Sequence, residues 1–192
     1  MKKTDYFTDD EVKRLLAVVA ETKDELLFRI GLETGAKTSG VRSMRLSWLR
    51  MDPNNCAVYF EERGMGGRIV TLSPETYRIV SGRYYMDQFD MRHTMEHPHR
   101  KGGRKVQDYR LFPISKKTLN RRLQRWVQKA GVERHVHWGM LKHTCIIRLL
   151  RKGMHFDEIA RTLRLNKRSL YLAYRRFVPS PEEQEEMIEY RI

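Results

Sequence analysis

Apolar residues first recur at helical spacing in FTDDEVKRLLAVVA, where Val12, Leu15, Leu16 and Val19 fall on one face. Thr8 followed three residues later by Glu11 is the signature of a capping box at the start of that helix. The pattern resumes from Asp24 to Leu32, and Thr34-Gly35 supplies a stop, because glycine tolerates the left-handed conformation in which helices end. TSGVRSMRLSWLRMD predicts a third helix offering Val41, Met44, Leu46 and Leu49 to a core; Asp52-Pro53-Asn54-Asn55 is turn chemistry. The period then changes. CAVYFEERGMGGRIVTLS alternates around a Gly-rich centre, the pattern of a β-hairpin. Ser73 as cap, with Pro74 at the first helical position, opens SPETYRIVSGRYYMDQF as the next helix. HTMEHPHRKGGRKVQD is polar and predicts a mobile basic loop. After YRLFPIS come three helices, KKTLNRRLQRWVQKAGV, GMLKHTCIIRLLRKGM and FDEIARTLRLNKRSLYLAYRRF, and the tail PSPEEQEEMIEYRI is expected to be helical from Ser180. The order predicts a mainly α fold with a small antiparallel β-sheet, an α+β class.

Charge changes the picture more than composition does. The hydrophobic content of 40% over 192 residues suits one domain with a real core. No apolar run approaches the ~20 residues of a membrane helix, and MKKTDYFTDDEVKRLL has no apolar signal core, so no membrane partner and a cytoplasmic, DNA-associated chain are expected. Cys56 and Cys145 have no CxxC partner and read as two reduced core thiols. The net charge of +14 is not spread evenly: residues 100–178 hold 22 Lys and Arg against 4 Asp and Glu, whereas residues 1–99 balance at 15 each. Basic residues gathered on several consecutive elements point to a polyanion, and double-stranded DNA suits them better than an anionic membrane face.

The segments, in order, resemble the catalytic domain of the tyrosine recombinases, the phage integrases and their relatives. FTDDEVKRLL resembles that domain's opening helix, LETGAKTSGVRSMRLSWLRMD its TG-x-R box, and FEERGMGGRIVTLSPETYRIV its GKGxKxRxVPLSPE hairpin. GMLKHTCIIRLLRKGMHFDEIARTLRLNKRSLYLAYRRF is similar to HxLRHTxAT…LGHxxxxTTxxY. The resemblance covers residues 1–178 as a catalytic-type domain, with 179–192 left as an acidic tail; the DNA-clamping domain usually placed before this unit is expected to be missing. Transferred residue by residue, the family's first catalytic arginine falls on Lys37 and its hairpin general acid on Met65. The HxxR pair falls on Gly139 and Lys142, the later His or Trp on Leu165, and the tyrosine nucleophile on Tyr174, while the histidine after the second arginine is kept as His143.

These departures bear on the chemistry. Strand cleavage passes through a charged phosphorane that paired guanidinium forks stabilise and an acid protonates. Lysine keeps the charge and loses the planar fork. Methionine, glycine and leucine cannot exchange protons, and each missing acid–base role is commonly worth ~10²–10⁴ in rate. The resemblance therefore implies a DNA-binding protein whose cleavage activity is lost or strongly weakened, with Lys37, Lys142, His143 and Tyr174 as a degenerate, phosphate-binding site. His137 and Arg68 are the candidates to stand in for missing groups. Arg104, Lys105, Lys116, Lys117, Arg121 and Arg122 are expected to touch backbone phosphates. No cofactor or metal is expected, since His93, His97 and His99 lack a matching ligand set. Two alternatives stay open. One is an active, atypical recombinase using Tyr174. The other is a helix-turn-helix regulator in which Lys167, Arg168, Tyr171 and Arg175 face DNA. For the tail three outcomes stay open: packing on a second copy to make a homo-oligomer, folding back over the basic surface, or a frayed terminus.

Overall fold

The computed structural model describes residues 5–20, 22, 24–51, 56–62, 66–82 and 110–180. Helix α1 (Asp9–Val19) begins at the expected capping box: Thr8 Oγ1 accepts from Glu11 N, and Glu11 Oε2 accepts from Thr8 N at 2.8 Å. Helix α2 (Glu25–Thr34) is buried nearly all round and ends at Gly35, whose φ of 58° is the left-handed cap that the sequence predicts. Its close approach to the rest of the core depends on Gly31. A Cβ there would lie 2.5 Å from Trp138 Cζ2 and 2.9 Å from Leu141 Cδ1.

The third predicted helix is shorter than expected. Helix α3 covers only Thr38–Ser43; a 3₁₀ turn (Leu46–Trp48) and strand β1 (Leu49–Met51) follow. β1 pairs antiparallel with β2 (Cys56–Glu62), and β2 pairs with β3 (Gly66–Thr71), so the sheet has three strands in the order β1-β2-β3. Helix α4 (residues 74–82) has Ser73 as its cap, with Thr76 N donating to Ser73 Oγ. Helices α5 (Lys116–Lys129), capped by Ser115, and α6 (Gly139–Arg151) match the predicted positions. The last predicted helix is two: α7 (Phe156–Leu163) and α8 (Lys167–Tyr174), followed by a 3₁₀ turn (Arg175–Phe177). Arg164 makes the break with φ 51°. Its guanidinium donates to Gly67 O at 2.9 Å, tying the α7–α8 corner to the sheet. The basic loop around His93, His97, His99, Arg104 and Lys105, and residues 181–192 of the tail, lie outside the described residues.

The core forms two clusters. The larger packs α1, α2, α3, α5 and the sheet around Phe7, Leu15, Phe28, Phe60, Leu123 and Trp138. The smaller gathers Ile146, Ile147, Leu150, Ile159, Leu163, Leu170 and Tyr174 from α6, α7 and α8. Helix α6 contributes Met140 and Leu141 to the first and Ile146, Ile147 and Leu150 to the second. A helix apolar on both sides is one buried between two layers. Lys142 and His143 sit on it where the clusters meet. Cys56 and Cys145 are both buried, and neither is in a disulfide.

Candidate functional site

The corner between α2 and α3, residues 34–37, is held from three sides. Arg68 Nη1 donates to Thr34 O at 3.0 Å, and Trp138 Nε1 donates to Ala36 O at 3.0 Å. Thr34 Oγ1 accepts from Ala36 N at 3.2 Å and so braces the turn from within. Gly35 lies against α6; a Cβ built on it would be 3.5 Å from Lys142 Cα. Exposed Lys37 follows directly, so two lysines from distant parts of the sequence are carried by backbones in contact.

Lys142 also lines a small cleft of about 140 Å³ with Ile146, Leu165, Asn166, Ser169, Leu170 and Tyr174. Tyr174 is 5% exposed, while Tyr171 is 47% exposed and packs edge-on against Phe156. The Tyr174 hydroxyl is hydrogen-bonded to His143 Nδ1. Burial pushes the Tyr174 phenol up to about 12. Burial, reinforced by the charge of Lys142, moves His143 the other way, below its ordinary 6.5. The two shifts keep both partners neutral across the physiological range. With the phenol pushed up and the imidazole pushed down, moving the phenol proton onto His143 is strongly uphill. The pair is a hydrogen-bonded dyad that does not by itself make a phenolate.

A pH dependence follows from His143. The unfolded chain takes up its proton at ordinary pH and the folded chain resists it, so stability falls as pH drops below about 6.5. Urea midpoints measured at roughly pH 8 and pH 5 should show this loss, and His143→Gln should remove that part of it.

The structure revises the expectation for Arg68. It was expected to face DNA or to replace a missing acid, yet it is 7% exposed, lies 4.8 Å from the Phe60 ring centroid and bonds Thr34 O. A buried guanidinium needs such partners to offset desolvation. Its charge is spent on holding the corner before Lys37. Of the other expected cations, Lys116, Lys117 and Arg121 are exposed on α5, and Arg168 and Arg175 are exposed on and just after α8. Arg122 pairs with Asp24 at 2.5 Å, and Lys167 pairs with Asp157 at 2.5 Å. Met65 lies outside the described residues. The β2–β3 register pairs Glu62 with Gly66, so the connection comprises residues 63–65 and includes Arg63 as well as Met65. Among the described residues no three His, Cys, Asp or Glu side chains are grouped to hold a metal, and no helix is long and apolar enough to cross a membrane.

Mostly helical, with a three-stranded antiparallel sheet and a tyrosine-bearing helix packed on α6, this is the fold of a tyrosine recombinase catalytic domain. It superimposes on the catalytic domain of bacteriophage HP1 integrase with a TM-score of 0.61, at 22% identity, covering 93% of this chain and 90% of that one. A crystal structure of XerA recombinase matches with a TM-score of 0.66 at 20% identity over 97% of this chain and 64% of that one. The XerH site-specific recombinase bound to difH substrate, in a pre-cleavage complex, matches at 0.68 with 14% identity, over 97% of this chain and 55% of that one. Residues 5–175 match the Phage integrase family, and the chain belongs to it. In sequence it is 26% identical over 153 residues to the tyrosine recombinase XerA of Saccharolobus solfataricus, covering 80% of this chain and 45% of that relative. It thus spans less than half the length of that recombinase.

Proposed function

We propose that residues 1–178 bind double-stranded DNA through a phosphate seat built on Lys37 and Lys142, and that strand cleavage is lost or strongly weakened. One observation carries the reading. At the family's nucleophile position Tyr174 is buried, bonded to a neutral His143 and pushed up to about 12, while Leu165 lines the cleft where the family has an imidazole or indole. A phosphorane formed there would meet two ammonium groups and no guanidinium fork at the transferred positions. XerH recombinase, which shares this fold, was solved bound to its difH substrate, and that supports DNA as the partner. Exposed cations on α5 and α8 extend that surface beyond the seat.

A second reading has its own support. A tyrosine hydroxyl within hydrogen-bond reach of a histidine is the arrangement of a nucleophile beside its base, and it favours an active recombinase of unusual composition. A nicked substrate that traps covalent protein–DNA intermediates separates the two. The degenerate reading expects no adduct above that of Tyr174→Phe; an adduct that Tyr174→Phe abolishes would establish the active one. The helix-turn-helix regulator loses its footing, because α7 and α8 are packed against α6 and tied to the sheet as parts of a larger family fold.

A further inference from the structure

We propose that His137 supplies the imidazole of the phosphate seat, reaching it from two residues before the position at which the HxxR pattern would place one. The inference rests on the functional reading above and deepens it. Gly139 is the first residue of α6, and a Cβ built on it would stand 3.0 Å from His137 Nδ1 and 3.2 Å from its Cε1. The edge of the His137 ring therefore already fills the volume that any side chain at 139 would enter. The missing side chain leaves no hole. It is replaced from the chain just upstream.

The local backbone explains the reach. Val136 and Trp138 are buried while His137 and Gly139 are exposed, so the segment alternates and turns the imidazole to the same side as the start of α6. The His137 carbonyl accepts from Met140 N at 3.0 Å, which fixes the base of the side chain to the first helical turn. Lys142 is one turn further along, and charge on either Lys142 or His137 disfavours protonation of His143. An imidazole N–H offered at the start of α6 would donate one charge-assisted hydrogen bond to an oxygen of the phosphate that Lys142 holds. It does not restore the guanidinium forks, so it strengthens holding and leaves cleavage weak. A Cβ at 139 makes the ring give way by a few tenths of an ångström, which lengthens the hydrogen bond it offers.

The test compares the full chain with His137→Ala, with Gly139→Ala and with the paired change His137→Ala plus Gly139→His, for affinity to a short synthetic duplex at one salt concentration. His137→Ala should bind about tenfold more weakly. Gly139→Ala should lose a similar factor although its thermal midpoint is unchanged or higher, because alanine is the better helix former. The paired change returns an imidazole to the same place and should regain most of the affinity, which a merely structural histidine would not do. Equal affinity of His137→Ala and the unaltered chain overturns the assignment of His137 and leaves the seat intact. A loss in His137→Ala that the paired change does not recover also overturns it. No duplex binding by the unaltered chain overturns the functional reading itself.

Discussion

Alanine at both Lys37 and Lys142 lowers duplex affinity about a hundredfold at low salt and flattens its salt dependence by roughly two units of log–log slope. Each phosphate neutralised by a cation releases condensed counterions, and each contributes about 0.9 to that slope. The affinity loss is about tenfold per site, the lower part of what hydrogen bonds to a charged group are worth. Both effects come from two residues carried by backbones in contact, with Gly35 packed on Lys142. Arginine at both positions should keep the slope and tighten binding, since the charge is retained and the fork is regained. Filter or fluorescence titrations at several salt concentrations measure both quantities. An alanine pair with an unchanged slope would mean that these lysines touch no phosphate, and the proposed seat would fail with them.

Trp138→Ala is expected to destabilise the fold by about 4 kcal/mol, within the range for emptying a buried indole site. The side chain is 2% exposed, fills the space that Gly31 leaves open and donates to Ala36 O. For a chain of this size the loss corresponds to a midpoint lower by roughly 10 °C. A second effect is more telling. Below its unfolding transition the variant should also bind duplex DNA less well, although Trp138 is buried and faces no solvent. The corner bearing Lys37 has then lost one of its two side-chain anchors. Trp138→Phe separates the terms: it keeps most of the volume, leaves the Ala36 carbonyl without its donor and should cost about 1–2 kcal/mol. Full DNA affinity in folded Trp138→Ala would show that the corner needs no such anchor.

Local chemistry made much of the fold legible. Thr8 with Glu11, Ser73 with Pro74 and the Gly35 stop each act within one turn, and each appears where the sequence places it. Strand β1 was hidden because its three residues gain strand geometry only by pairing Leu49, Arg50 and Met51 with Val58, Ala57 and Cys56. The helix-turn-helix alternative already implied a turn between α7 and α8, where Asn166 caps α8; what stayed hidden is that Arg164, not glycine, takes the left-handed conformation. On β3 the hydropathy pattern is inverted at two positions, with Arg68 buried and Ile69 60% exposed. The Phe60 ring and the Thr34 carbonyl, remote in sequence, help make the inward arginine tolerable. Lys37, Lys142, His143 and Tyr174 were nameable from motif positions. The anchoring of the corner before Lys37 by Arg68 and Trp138 was not, because both contacts end on main-chain carbonyls, which every residue possesses.

Helix α6 serves as a common wall for both hydrophobic clusters. A protein trimmed after that helix would keep the lysines yet turn Ile146, Ile147 and Leu150 toward water. Helices α7 and α8 are thus no removable attachment bearing a spare tyrosine; they are the outer cladding without which the lysine-bearing helix would be sticky, and drift alone would not readily shed them even where cutting DNA had ceased to matter.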